Sequence, residues 1–310
     1  MSKTVLFFPG QASQYVGMAK DLYDHSSEVR DMYQMASDEI GADIAHLSFE
    51  GPAEELKRTR FTQPAILLHS LAVLKVLGDS LPEFDFAAGH SLGEYGALAV
   101  TGAFGFDDAI RAVVKRAALM EDACQRTPGT MAATMGLTES QIEDVCNEAS
   151  VDGVVVPANF NSSSQIVMSG SIPAVKKAAE LAKAAGAKRA MILEVGGAFH
   201  SPLMESARLG LEQHLANVTI NAPSKPVVAN VTGQAVTAPA DIRRLLVQQV
   251  TAPVRWYHTM AYLKDNGVSH IIEIGPGKVL TGLAKREMRP GQSICLDTLE
   301  DIKAFASVVA

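Results

Sequence analysis

Ala87-Ala88-Gly89-His90-Ser91-Leu92-Gly93-Glu94-Tyr95 carries the pattern Gly-x-Ser-x-Gly on Gly89, Ser91 and Gly93. Phe84, Phe86, Ala87 and Ala88 just before it suit a short buried strand, and Glu94-Tyr95-Gly96-Ala97-Leu98-Ala99-Val100 after it suits a helix. Strand, sharp turn and helix is the setting of a nucleophile elbow. The glycines permit a tight turn in which backbones approach closely. The serine side chain then stands above the sheet edge at a helix N-terminus, where unpaired N–H groups and a partial positive charge suit an oxyanion. A structural turn that merely contains a serine would show the same five residues, so the flanks carry the catalytic reading.

The chain around this stretch has 310 residues, 47% hydrophobic and 20% charged, ordinary values for a globular enzyme with a real core. A net charge of −7 argues against nucleic acid as a general partner. Cys124, Cys146 and Cys295 are odd in number and far apart. They fit neither a disulfide framework nor a metal pattern, so we expect no metal and a reducing, cytoplasmic compartment. The N-terminal apolar run ends at Pro9-Gly10, too short for a signal-peptide core. The greasiest stretch, 65–77, is broken by His69, Ser70 and Lys75, and we expect no membrane span.

Upstream of the elbow, Thr4-Val5-Leu6-Phe7-Phe8 reads as a buried strand. The loop Gly10-Gln11-Ala12-Ser13-Gln14 follows at its carboxyl end, where open parallel sheets collect ligands. Helical pattern covers 18–39, and Thr62-Gln63-Pro64 leads into a nearly all-apolar helix over 65–78. Downstream, Phe106-Asp107-Asp108 opens a helix with acidic residues in its first turn. From about 127 to 196 the texture becomes βαββαβ: strands at 131–136, 154–159, 165–170 and 188–195, helices at 139–149 and 173–185. The fold expected is therefore α/β. A large α/β-hydrolase-like body with a parallel sheet and nucleophile elbow spans 1–126 and 197–310, interrupted by a small ferredoxin-like subdomain over 127–196. The last section offers a strand at 225–231, a helix near 240–250 and a buried strand with a glycine turn at His270-Ile271-Ile272-Glu273-Ile274-Gly275-Pro276-Gly277.

Two further residues stand out. Arg116 has Ala112, Val113, Leu119 and Met120 at helical spacing, and a guanidinium in apolar surroundings needs an anion. A distant protein carboxylate or a substrate carboxylate gripped by the Arg fork would serve equally. His200 precedes Ser201-Pro202, a helix start expected to run to about 216. That N-terminus disfavours imidazolium and suits a general base, while a surface capping-region histidine is the plainer alternative. His90, beside Ser91, is placed to shape a pocket.

With Ser91, Arg116 and His200 in place, the chain resembles the malonyl-CoA:acyl-carrier-protein transacylases of fatty-acid and polyketide synthesis. The resemblance covers essentially the whole chain. It rests on six blocks in order: Phe8-Pro9-Gly10-Gln11-Ala12-Ser13-Gln14, Thr62-Gln63-Pro64-Ala65, Gly89 to Tyr95, Arg116, Ala198-Phe199-His200-Ser201, and Glu273-Ile274-Gly275-Pro276-Gly277-Lys278-Val279-Leu280. It implies Ser91 as nucleophile and His200 as base in a Ser–His dyad, with the histidine oriented by the backbone carbonyl of Gln249. It implies an oxyanion hole from the N–H groups of Gln11 and Leu92, Arg116 as the holder of the malonyl carboxylate, and Gln63 beside that pocket. Asn159 and Asn161 are placed toward the cleft, and Ala12 stands where many relatives carry glycine. Leu92 and Phe199 resemble the malonyl rather than the methylmalonyl pattern.

The activity implied is malonyl transfer from malonyl-CoA to the phosphopantetheine thiol of acyl carrier protein, with no bound cofactor, by a free-standing monomer. An esterase-like hydrolase and a non-catalytic carrier-docking protein are the competing readings. The carrier is usually acidic, so docking needs a local basic face. Lys176, Lys177, Lys183, Lys188 and Arg189 against Glu180 offer one, and Lys278, Lys285, Arg286 and Arg289 against Glu287 another.

Overall fold

Ten strands form two sheets in the computed structural model, which describes residues 2–309. They are β1 (Lys3–Phe8), β2 (Phe86–Gly89), β3 (Gly129–Met135), β4 (Val155–Ser162), β5 (Gln165–Ser171), β6 (Arg189–Ile192), β7 (Val227–Ala229), β8 (Gln234–Val236), β9 (Val268–Ile274) and β10 (Gln292–Leu296). The larger sheet runs β10-β9-β1-β2-β7-β8 and is parallel except at the β7–β8 edge. β1 lies between β9 and β2, which explains its unbroken apolar run: a central parallel strand is covered on both faces. Leu6 and Phe8 face the main core with the Thr59–Leu77 helix. Val5 and Phe7 face the opposite layer, where Phe7 meets Trp256 edge-on with ring centroids 4.9 Å apart.

Register fixes where a site can form. Phe8 pairs with Gly89 and Phe7 with Glu273, so the loops after β1, β2 and β9 leave the same carboxyl edge side by side. The mixed α/β architecture with a parallel sheet is the one expected.

The second sheet runs β4-β5-β3-β6 with antiparallel pairing at each step. The Glu139–Ala149 and Ile172–Ala184 helices pack on it around a separate core that includes Ile142, Phe160, Met168 and Val175. Phe160 N–H donates to the Val254 carbonyl and Val254 N–H to the Ala158 carbonyl, both at 2.9 Å, stitching β4 to the rest of the molecule.

Several boundaries differ from expectation for local reasons. The 18–39 run is two helices, Lys20–His25 and Ser27–Ile40, parted at Ser26, whose side chain accepts from Val29 N–H and caps the second. The apolar helix begins at Thr59, not after Pro64; Pro64 lies within it. A proline there removes one i→i−4 bond, which burial of the flanking residues offsets. The segment after His200 opens as a 3₁₀ turn, Pro202–Met204, before the Glu205–Leu215 helix. The edge strands β8 and β10 and the Trp256–Asp265 helix were not anticipated. Thr59–Ser80 is long and apolar enough to cross a membrane, yet most of it is buried inside the protein.

Candidate active site

Ser91 sits at the turn between β2 and the Gly93–Val100 helix with φ of 52°, the left-handed backbone of a strained elbow. The glycines on either side are obligatory. A Cβ on Gly89 would lie 1.9 Å from the Gly93 carbonyl carbon, and one on Gly93 2.1 Å from the Phe8 carbonyl oxygen. Asn230, just past β7, staples the turn from below: its Oδ1 accepts Ser91 N–H and its Nδ2 donates to the Gly89 carbonyl, each at 2.7 Å.

His200 is brought to Ser91 across 109 residues of sequence, with Nε2 2.9 Å from Ser91 Oγ. Its Nδ1 lies 2.8 Å from the Gln249 backbone carbonyl. A carbonyl accepts only, so Nδ1 carries the proton and Nε2 is left to accept from the serine hydroxyl. The imidazole is buried, and burial first, Arg116 second, pulls its pKa down to about 3. His200 is thus neutral throughout the physiological range, as a base must be.

Arg116 projects from the Phe106–Arg126 helix and is 1% exposed. One terminal nitrogen donates to Gln63 Oε1; the other donates to Ser91 Oγ at 3.1 Å and to Gln249 Oε1 at 2.9 Å. The guanidinium carbon lies 5.9 Å from the Tyr95 ring centroid, and Nε is buried without a partner. Among the described residues no carboxylate lies within ion-pair distance of Arg116. Its immediate partners are two amides and an alcohol. Gln63 is held in turn by Nε2 directed at Met120 Sδ, 3.5 Å away.

The Gln11 and Leu92 backbone N–H groups have no acceptor among the described residues. Leu92 lies at the N-terminus of the Gly93–Val100 helix and Gln11 on the loop after β1. That loop is held by Ser13 Oγ donating to the Gly10 carbonyl at 2.7 Å and Ala12 N–H donating to Gln14 Oε1 at 2.8 Å. Ala12 itself has φ of 80°, where glycine would be unstrained.

The expected residues Ser91, His200, Arg116, Gln63 and Gln249 therefore meet at one point, with Leu92 and Gln11 on the adjoining turns. Asn161 also reaches the site: its Oδ1 accepts from His90 Nε2 at 2.9 Å. Asn159 instead bridges to Val254 in the seam between the two sheets. Beside the site a pocket of about 350 Å³ is lined by Gln11, His90, Asn161, Val279, Leu283 and Arg286, among others. Of the two basic clusters, the one over 278–289 borders this pocket.

Three contributions went unread in the sequence. Asn230 holds the elbow. Gln249 works with its side chain as well as its carbonyl: Nε2 donates to the Ser91 carbonyl at 3.0 Å and to Glu94 Oε2 at 2.8 Å. Glu94, 3% exposed, also accepts Asn230 N–H at 3.0 Å. One signal was available: Glu94 is a carboxylate one turn after Ser91, in a helix otherwise wholly apolar or glycine through Val100 apart from Tyr95.

Known proteins of similar sequence and structure show the family. Residues 5–306 match the model of the acyl transferase domain family. A malonyl CoA-acyl carrier protein transacylase of Bacillus subtilis is 42% identical over 304 residues, covering 98% of this chain and 96% of its own. The enzyme of that name from Escherichia coli K12 is 44% identical over 289 residues, covering 92% and 93%. Among solved structures, the malonyl CoA-acyl carrier protein transacylase of Coxiella burnetii superposes with a TM-score of 0.93 at 38% identity, covering 99% of this chain and 98% of its own. A malonyl transacylase in complex with a type II polyketide acyl carrier protein gives 0.92 at 38% identity, covering 99% and 100%. The chain belongs to the malonyl-CoA:acyl-carrier-protein transacylase family of acyl transferases.

Proposed function

We propose that this chain moves a malonyl group from malonyl-CoA to the phosphopantetheine thiol of an acyl carrier protein through a malonyl ester on Ser91. The observation that carries the reading is a Ser91–His200 pair facing a buried arginine with no carboxylate partner among the described residues. His200 Nε2 takes the Ser91 proton as Oγ attacks the thioester carbon. The developing oxyanion is received by the Gln11 and Leu92 N–H groups. The intermediate collapses, the C–S bond breaks, and CoA leaves as the thiol with the proton from His200. In the second half the carrier thiol gives its proton to His200 and attacks the ester, and Ser91 leaves protonated.

Arg116 supplies selectivity. Its fork receives the free malonyl carboxylate, and an acyl group without one leaves the guanidinium buried and unpaired. Neutralising Arg116 also relieves one of the influences that, after burial, depress His200. The substrate's own carboxylate thus strengthens the base that activates the serine. Phe199 before His200 and Leu92 after Ser91 narrow the space for an α-methyl branch, so methylmalonyl transfer is expected to be slower.

Residues 127–196 form, in this reading, a ferredoxin-like subdomain inserted into an α/β-hydrolase-like body of 1–126 and 197–310; the antiparallel order β4-β5-β3-β6 with two helices supports it. The basic cluster over 278–289 is the carrier-docking face, supported by Arg286 at the rim of the pocket beside Gln11 and His90.

Intact-mass measurement after mixing with malonyl-CoA tests the chemistry. A persistent malonyl adduct, lost in Ser91→Ala and discharged by holo-carrier protein, is the expected result. Free malonate without an adduct would make the chain a hydrolase, and neither product a docking protein.

A further inference from the structure

Glu94 carries a carboxylate into the same buried space as Arg116 without touching it. Both contacts on its Oε2 come from donors, Asn230 N–H at 3.0 Å and Gln249 Nε2 at 2.8 Å. Gln249 then turns its other amide atom, Oε1, to Arg116 at 2.9 Å. An amide has one donor end and one acceptor end, so this order, carboxylate–amide–guanidinium, fixes which way Gln249 points. Reversing the amide would set its NH₂ against the guanidinium and its oxygen against the carboxylate. Because Gln249 also lends its backbone carbonyl to His200, the carboxylate, clamp and base share one residue.

Burying an arginine without any counter-charge is costly, and none is in direct contact with Arg116 among the described residues. The titratable groups acting on Glu94 are Arg116 from the Phe106–Arg126 helix and Tyr95 on its own helix; Asn230 and Gln249 are neutral. We propose that Glu94 is the internal counter-anion of Arg116, a positioning residue that acts through Gln249 to keep the clamp charged and aimed while no substrate carboxylate is present. The inference rests on the reading of Arg116 as the carboxylate clamp. It adds a competition: the internal anion and the incoming one share a single cation. Burial pushes the Glu94 carboxyl up to about 7, so its charge responds to small changes in its surroundings, the arrival of a second anion included.

Glu94→Gln tests this with little change of shape, because the new amide oxygen can accept from both donors. Loss of the internal charge leaves Arg116 uncompensated and His200 a weaker base unless the substrate brings its own carboxylate. We therefore expect acetyl kcat to fall on the order of tenfold, malonyl kcat to change by less than about threefold, and malonyl KM to fall. A merely structural role would lower both kcat values together and would not lower malonyl KM. Equal losses, or no change with either substrate, would overturn the proposal.

The double variant Glu94→Gln/Gln249→Glu moves the carboxylate onto Arg116 itself and retains a charged network if the single variant folds poorly. Its malonyl KM is expected to rise on the order of tenfold over wild type, with acetyl kcat above that of Glu94→Gln. An unchanged malonyl KM would count against the competition. Arg116→Ala separates the layers: if it damages malonyl and acetyl transfer alike, the clamp reading itself fails. If Arg116→Ala is selective while Glu94→Gln is not, only the counter-anion inference falls.

Discussion

Replacing Arg116 by alanine should convert a malonyl-selective transferase into one that treats malonyl and acetyl groups nearly alike. The magnitude follows from what surrounds the guanidinium. It is 1% exposed and donates to Gln63, Ser91 and Gln249, all uncharged, so a substrate carboxylate would be its first anionic contact. Truncating one partner of a buried, hydrogen-bonded charge pair costs about 2–5 kcal/mol. That corresponds to a loss of roughly 30- to 5,000-fold in malonyl kcat/KM. Acetyl transfer meets two smaller, opposing effects. The hydrogen bond from Arg116 to Ser91 Oγ disappears, worth about 0.5–1.5 kcal/mol. Against this, the positive charge that helps depress His200 is gone, and no unpaired cation remains to be buried with the acyl group. Acetyl kcat/KM should stay within about tenfold of wild type. The assay is initial-rate transfer from each CoA thioester to holo-carrier protein, with acyl-Ser91 formation followed by intact mass. Arg116→Lys should fall between, since an ammonium keeps the charge and loses the fork. Equal loss of both activities in a variant of wild-type melting temperature would refute the role of clamp.

Other consequences follow from the same geometry. Gly93→Ala should cost more than about 4 kcal/mol or prevent folding, because its Cβ would meet the Phe8 carbonyl oxygen at 2.1 Å; Gly282→Ala, with open space around it in the Val279–Glu287 helix, should stabilise by about 0.5–1 kcal/mol in chemical denaturation. His200 is held down to about 3 from 6.5, so its neutral form favours the fold. That contribution is complete above pH 6.5 and is lost as pH falls toward 3, by up to about 5 kcal/mol, and His200→Gln should flatten this part of the stability profile. His200 itself should likewise add no acidic limb at pH 6.5 to the activity profile, and a limb there that persists in Glu94→Gln would contradict the buried setting. Reversing Lys285 and Arg286 to glutamate should raise the KM for carrier protein and weaken its salt dependence while leaving malonyl-Ser91 formation from malonyl-CoA intact; an unchanged carrier KM would move docking away from this cluster.

What could be read in advance, and what could not, divides along the range of the interactions. The elbow was legible because its requirements are contiguous: the turn, its glycines and the helix that follows lie within one dozen residues. β1 was legible because a central parallel strand must be apolar on both faces. Arg116 was legible by half. Its apolar helical neighbours implied a missing anion, but whether a protein carboxylate filled the gap depended on side chains that arrive from the Thr59–Leu77 and Pro239–Gln249 helices. Those turned out to offer amides, which can hold a guanidinium in place without neutralising it. Pro64 misled for a related reason: it was read as a start signal, while burial of Thr62 and Gln63 carries the helix back through it to Thr59 and so aims Gln63 at Arg116.

Asn230 and the side chain of Gln249 left no trace in pattern or spacing. They acquire meaning when the end of β7 and the end of the Pro239–Gln249 helix come against the elbow, 139 and 158 positions from Ser91. Glu94 is the instructive intermediate. Its position in an apolar helix offered the same signal that singled out Arg116, a buried charge in need of partners, but that signal went unread. Two such residues on different elements, each without a local counter-ion, are better explained together than apart: an acid and a base that cannot be satisfied within their own helices are candidates for each other. Here a glutamine stands between them, so the cation is balanced yet still free to take a new anion. A direct Glu94–Arg116 salt bridge would have been the simpler way to bury both charges, and it would have closed the clamp to the substrate.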